Sequence, residues 1–130
     1  MDSTVSQFVT PGILLVFTLA SGVWLSGAGK PLNPWIFNLH KLIALAAVVF
    51  TTLQMVKQLN ISRTQAFPLA LLILAGVCVV ALFLSGALMS AGKLSYDFML
   101  IIHRAAPFGL VLSLAGVIYF LVGMGKHYAI

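Results

Sequence analysis

Acidic residues are almost absent from this chain: Asp2 and Asp97 are the two carboxylates among 130 residues. Charged residues of all kinds make up 7% and hydrophobic residues 62%, whereas a soluble domain carries about 25% charged residues. The composition excludes an ordinary water-soluble fold and implies an integral membrane protein. A Ser-His-acid set has no place for its acid, and there is neither a phosphate-binding glycine loop nor a Cys or His spacing for structural zinc, so hydrolytic and phosphoryl chemistry find no support. Cysteine is equally scarce. Cys78 stands alone in an apolar run, cannot form an intrachain disulfide, and reads as a small packing residue. The first apolar run also lacks a positively charged leader and carries Asp2 instead, so it is expected to be retained as a span, not removed as a secretory signal.

What is present is uncharged sequence. Stretches without charge cover 3–29, 42–56 and 64–92, and another follows Arg104 as far as Lys126. A helix needs about 20 predominantly apolar residues to cross a bilayer, which predicts spans at 8–26, 34–55, 67–89 and 96–124. The short connections between them make sequence neighbours antiparallel. The expected fold is an all-α membrane protein, a single four-helix up-down bundle over 1–130 with no separate soluble domain.

Basic residues give the orientation. Lys57, Arg63 and Lys126 fall on the side shared by the two termini and the middle connection, and Lys30 and Lys93 fall on the other. The positive-inside rule then puts both termini in the cytoplasm, with a prokaryotic cytoplasmic membrane the expected location. Because these cations are scattered over both sides, they form no groove or stripe for nucleic acid.

An internal repeat appears at an offset of 63 residues. Gly29 and Lys30 align with Gly92 and Lys93, Trp35 with Phe98, His40 with His103 and Lys41 with Arg104; upstream, Leu25 meets Leu88 and Gly22 meets Ser85. Both halves read Ala-Gly-Lys, nine further residues, then His and a basic residue. This predicts a duplicated two-helix unit, with halves at about 8–62 and 67–126, related by an axis along the membrane normal as in parallel-repeat membrane proteins. His40 and His103 then lie at equal depth, roughly 9 to 11 Å inside their helices at 1.5 Å per residue.

Two matched imidazoles suit a flat ligand with two axial positions, and haem is the candidate. The small residues Ala44 and Ala47 after His40, and Ala106, Pro107 and Gly109 after His103, offer room for a ring, and Gly22 and Ser85 on the preceding helices would let its edge approach. Ordinary membrane helix packing favours small residues too. Lys41 and Arg104 follow the two histidines, and Lys30 and Lys93 lie at the same surface, where four cations suit two propionates. The plainer alternative is that Lys41 and Arg104 snorkel to the headgroups. His127 has no counterpart, so one haem is expected and not two.

A four-helix bundle with "NLHK" and "IIHR" on parallel helices resembles the small transmembrane b-type cytochromes and is similar to the haem-bearing membrane anchors of respiratory oxidoreductases. Many members of that wider group hold two haems on four histidines, whereas this chain has one usable pair. The resemblance implies one bis-histidine haem b that cycles between ferric and ferrous iron. His40 and His103 would be the axial ligands of an electron carrier or of a quinol- or superoxide-linked oxidoreductase. Quinone or an extracytoplasmic redox protein would be the partner. Asp97, six residues before His103 and close to Tyr96, would accept a quinol proton; an Asp just after Ser95 is also what a helix N-terminus favours.

Two other classes fit the size of the chain. One is a non-redox metal-binding or small-solute transporter, with His40 and His103 joined by Met89 or Met99. Its difficulty is that the half of the bundle nearer the termini is almost wholly apolar and offers no polar path. The small multidrug exporters share the four spans but need an acid in the first helix, which is absent. The other is a structural subunit of a larger membrane complex, or a homodimer.

Overall fold

Proline, glycine and asparagine mark where the helices start and stop. The structure, a computed structural model, describes residues 3–59 and 66–127, with side chains described over 5–59 and 66–123. Five helices follow in order: α1 (Ser3–Gln7), α2 (Val9–Ala28), α3 (Pro34–Gln58), α4 (Ala66–Ala91) and α5 (Tyr96–His127). Asp2 and Arg63, both used in the sequence argument, lie outside the described residues, as do the side chains of Lys126 and His127.

Pro11 and Pro68 each occupy the third position of their helix, and Pro34 the first. The first turn of a helix has no intrahelical acceptor for its N–H groups, so the missing proline hydrogen is harmless there. Asn33 caps α3, its side-chain oxygen accepting from the backbone N–H of Trp35 at 2.9 Å. α2 and α4 both run out at a glycine with positive φ, Gly29 at 71° and Gly92 at 61°. That backbone region is strained for residues with a Cβ. The two "GK" turns of the sequence repeat therefore end their helices by the same device.

Four of the helices are long and apolar enough to cross a membrane: Val9–Ala28, Pro34–Gln58, Ala66–Ala91 and Tyr96–Gly123. The chain is an all-α integral membrane protein by this measure, and the four spans are those expected from the sequence, each longer by a few residues than the apolar core or closely matching it. Helix α1 is an addition. Phe8, buried at the junction with φ −93° and ψ 0°, separates it from α2.

The chain divides into two compact units, Met1–Asn60 and Ile61–Ile130. Each is a helical hairpin, α2 against α3 and α4 against α5. Lipid tails are as apolar as leucine, so such hairpins are held by close packing and interhelical hydrogen bonds, not by a drive to leave water. In the first hairpin the buried positions are Pro11 and Leu25 on α2 and Ala47 and Met55 on α3. At its end, Gln58 Nε2 donates to Gln7 Oε1 and ties α3 to α1.

The second hairpin has a more regular seam. Pro68, Ala75, Cys78 and Ser85 are buried on α4 and Met99, Leu110, Ser113 and Val117 on α5, at separations of three, four, seven and eleven residues that keep one stripe of a helix against its neighbour. Two glycines let the helices come close. A Cβ at Gly109 would lie 2.9 Å from Cys78 Sγ, and one at Gly116 2.8 Å from Leu71 Cδ1. Ser113, wholly buried, returns its hydroxyl to the Gly109 carbonyl at 2.6 Å. Cys78 packs in this core with Ala75 and Leu110, as a small apolar residue would.

Candidate functional site

Each hairpin carries a half-buried histidine in its second helix, His40 in α3 and His103 in α5, and a further histidine, His127, ends α5. In the first, His40 Nδ1 lies 2.9 Å from Ser21 Oγ, and in the second, His103 Nδ1 lies 2.9 Å from Ser85 Oγ. The serine in both cases comes from the preceding helix and spends its own hydrogen locally. Ser21 donates to the Thr18 carbonyl at 3.0 Å and Ser85 to the Leu82 carbonyl at 3.1 Å, each three residues back. A hydroxyl has one hydrogen and two lone pairs. A serine hydrogen directed to that carbonyl leaves each Oγ to accept from the imidazole, the arrangement in which Nδ1 carries the ring hydrogen. The second hairpin repeats the point independently, because the Leu82 carbonyl, which can only accept, also lies 3.1 Å from His103 Nδ1.

The residue after each serine is glycine, and it sits against the ring. A Cβ on Gly22 would lie 3.1 Å from His40 Cε1, and one on Gly86 3.3 Å from His103 Cε1. These are tight separations, so the missing side chain is what lets each imidazole come this close to the preceding helix. At Gly22 the His40 ring points Cε1 inward, with Nδ1 at 3.7 Å and Nε2 at 3.8 Å from the Cβ position, and at Gly86 the Cε1 and Nδ1 atoms of His103 are the near ones. With the ring hydrogen on Nδ1, Nε2 is the nitrogen with the basic lone pair, which is the nitrogen a metal would take.

No family model, curated protein or solved structure matches this chain. The chemistry of the two clips has to speak for itself. Histidines that bind a metal through one ring nitrogen almost always donate the other N–H to a carbonyl, carboxylate or water, which fixes ring orientation and raises ligand basicity. Both imidazoles here have that second contact in place. Among the described residues no three of His, Cys, Asp or Glu are grouped to hold a bare metal ion, whereas haem iron asks the protein for only one or two nitrogens.

The other expected residues are placed as follows. Lys30 and Lys93 directly follow the two positive-φ glycines and are exposed, as are Lys41 and Arg104. Lys41 Nζ lies 4.0 Å above the Phe37 ring one turn back, a cation–π contact that points the chain toward the start of α3. Asp97 is exposed in the first turn of α5, where the Ser95 carbonyl accepts from the Met99 N–H, and there its charge favours the helix dipole. Met99 is buried in the second hairpin's own seam.

Gly22 and Ser85 both meet a histidine, in different ways: Gly22 accommodates His40, and Ser85, only 2% exposed, hydrogen-bonds His103. Their true counterparts are Gly86 and Ser21, which lie at an offset of 64, not 63. The helix end explains it, since Ser21 precedes Gly29 by eight residues and Ser85 precedes Gly92 by seven. Gly109 likewise offers no open space, because Cys78 Sγ fills it. Ser21 and Gly86 were missed by a single rigid offset, although the dipeptide Ser-Gly at 21–22 and again at 85–86 was there to be found.

Proposed function

We propose that this protein is a membrane b-type cytochrome that carries one haem b on His40 and His103, one imidazole from each hairpin, and transfers electrons. The observation that carries the reading is the duplicated clip. Two histidines in matched sequence positions each have Nδ1 2.9 Å from a serine Oγ of the preceding helix, an arrangement that makes Nε2 the proposed ligating nitrogen. Haem, when bound, supplies a one-electron couple between ferric and ferrous iron. The chain would hold the iron through two imidazole nitrogens, an arrangement that would disfavour oxygen binding and make outer-sphere transfer the natural activity.

Lys30, Lys41, Lys93 and Arg104 are the residues suited to the propionates, Arg104 through a bidentate contact that lysine does not make. Quinone or an extracytoplasmic redox protein is the proposed partner, with Asp97, on the same turn side as Lys93, the candidate to take up a quinol proton. The proposed location is a prokaryotic cytoplasmic membrane, with both termini on the cytoplasmic side that the positive-inside rule favours.

A second reading draws on the same bonds: the histidines serve only to join α2 to α3 and α4 to α5, as polar side chains do in membrane bundles, and the protein is a structural subunit. Absorption spectra of the detergent-purified protein, air-oxidised and then dithionite-reduced, separate the two. The cytochrome reading expects sharp reduced α and β bands and one haem b per chain by pyridine haemochrome. A protein that stays colourless after expression with ample haem contradicts it and leaves the structural reading.

A further inference from the structure

The Ser-Gly pairs do more than pack. We infer that Ser21 with Gly22, and Ser85 with Gly86, are duplicated positioning residues that fix each imidazole as its Nδ1–H tautomer and tune the basicity of Nε2. The inference rests on the haem reading for its functional consequence, though not for its structural content. Its first support is the direction of the hydrogen bonds: each Oγ donates to a carbonyl three residues back, at 3.0 Å from Ser21 and 3.1 Å from Ser85, and so accepts from the ring. The second is convergence, because two acceptors, Ser85 Oγ at 2.9 Å and the Leu82 carbonyl at 3.1 Å, meet on His103 Nδ1. The third is the glycine notch, which a Cβ would close to 3.1 Å from Cε1 at residue 22 and 3.3 Å at residue 86.

The chemical consequence follows from the bond. An imidazole that shares its Nδ1 proton with an acceptor has a more electron-rich Nε2. Such a nitrogen favours the ferric state over the ferrous one, so the two serines together hold the midpoint potential below the value that unassisted imidazoles would give. Ser21 and Ser85 act through the histidines and touch neither the iron nor a substrate.

The test uses the full chain in lipid, with Ser21→Ala, Ser85→Ala and the hydroxyl-keeping Ser85→Thr. Two quantities are read: the haem midpoint potential by redox titration, and the imidazole Nδ1 proton and nitrogen resonances of the reduced, diamagnetic protein labelled at histidine. Each alanine variant is expected to raise the potential and to move its own histidine's Nδ1–H resonance upfield, while Ser85→Thr stays with the wild type. Unchanged potentials and unchanged ring resonances in both alanine variants overturn the inference. If the wild type binds no haem, the cytochrome reading fails, and the same resonances recorded on the colourless protein still decide the clip: an upfield shift in the alanine variants sustains it, and no shift overturns it.

Discussion

The two hairpins share a polar clip and differ in almost everything that surrounds it. In α4 and α5 the seam is filled along its length by Ala75, Cys78, Leu110, Ser113 and Val117, with Gly109 and Gly116 drawing the helices together. In α2 and α3 the buried set is sparser, and Ala47 occupies the position that Leu110 holds 63 residues later. Yet the Ser-His distance is 2.9 Å in both. The apolar contacts can differ between the hairpins because many residues pack acceptably against a helix in lipid. A hydrogen bond with fixed donor and acceptor has no such latitude, so what the halves hold in common is the chemistry of the clip.

The sharpest way to break this comparison is to remove the filling of the second seam. Leu110→Ala places in α5 the residue that α3 already carries, and it should destabilise the second hairpin by about 2 kcal/mol, the low end for such a truncation because in lipid only packing is lost. Reversible unfolding in mixed detergent micelles measures it. Gly116→Ala comes next: a Cβ 2.8 Å from Leu71 Cδ1 overpacks the seam, at a cost of about 1 to 2 kcal/mol. Gly12→Ala in α2 is its control, since a Cβ there meets nothing within 4 Å; that change should be neutral or stabilise by up to roughly 1 kcal/mol through helix propensity.

Asn33→Ala removes the cap of α3 and should lower stability by about 1 kcal/mol in the same unfolding measurement. The smallest effect belongs to Lys41→Gln, which deletes an exposed cation–π contact with Phe37, about 0.5 kcal/mol. In the haem-loaded protein the same change should weaken haem retention less than Arg104→Gln, because guanidinium pairs bidentately with a carboxylate, and haem release to apomyoglobin measures that difference.

Much of the fold was legible in the sequence for a physical reason. A bilayer admits few backbone arrangements, so long uncharged runs become helices, and Pro34, Gly29 and Gly92 punctuate them through backbone rules that need no tertiary context. The histidines were legible because polar residues stand out in an apolar background. Ser21 and Gly86 were not, since serine and glycine are ordinary in membrane helices and acquire meaning only when the facing imidazole is known. The one-residue difference between the halves hid them further. The short helix α1 was not legible either, because five residues are too few to show a period. The filling of Gly109 by Cys78 depends on which turns of two helices meet, something a one-dimensional pattern does not specify.

The central claim is that both histidines serve one iron. Low-temperature electron paramagnetic resonance of the ferric protein, wild type beside His40→Ala and His103→Ala, tests it most directly. The account predicts a low-spin bis-imidazole signal in the wild type that disappears in each single variant, giving way to high-spin iron or to loss of haem. A low-spin bis-imidazole signal that survives either substitution would contradict it.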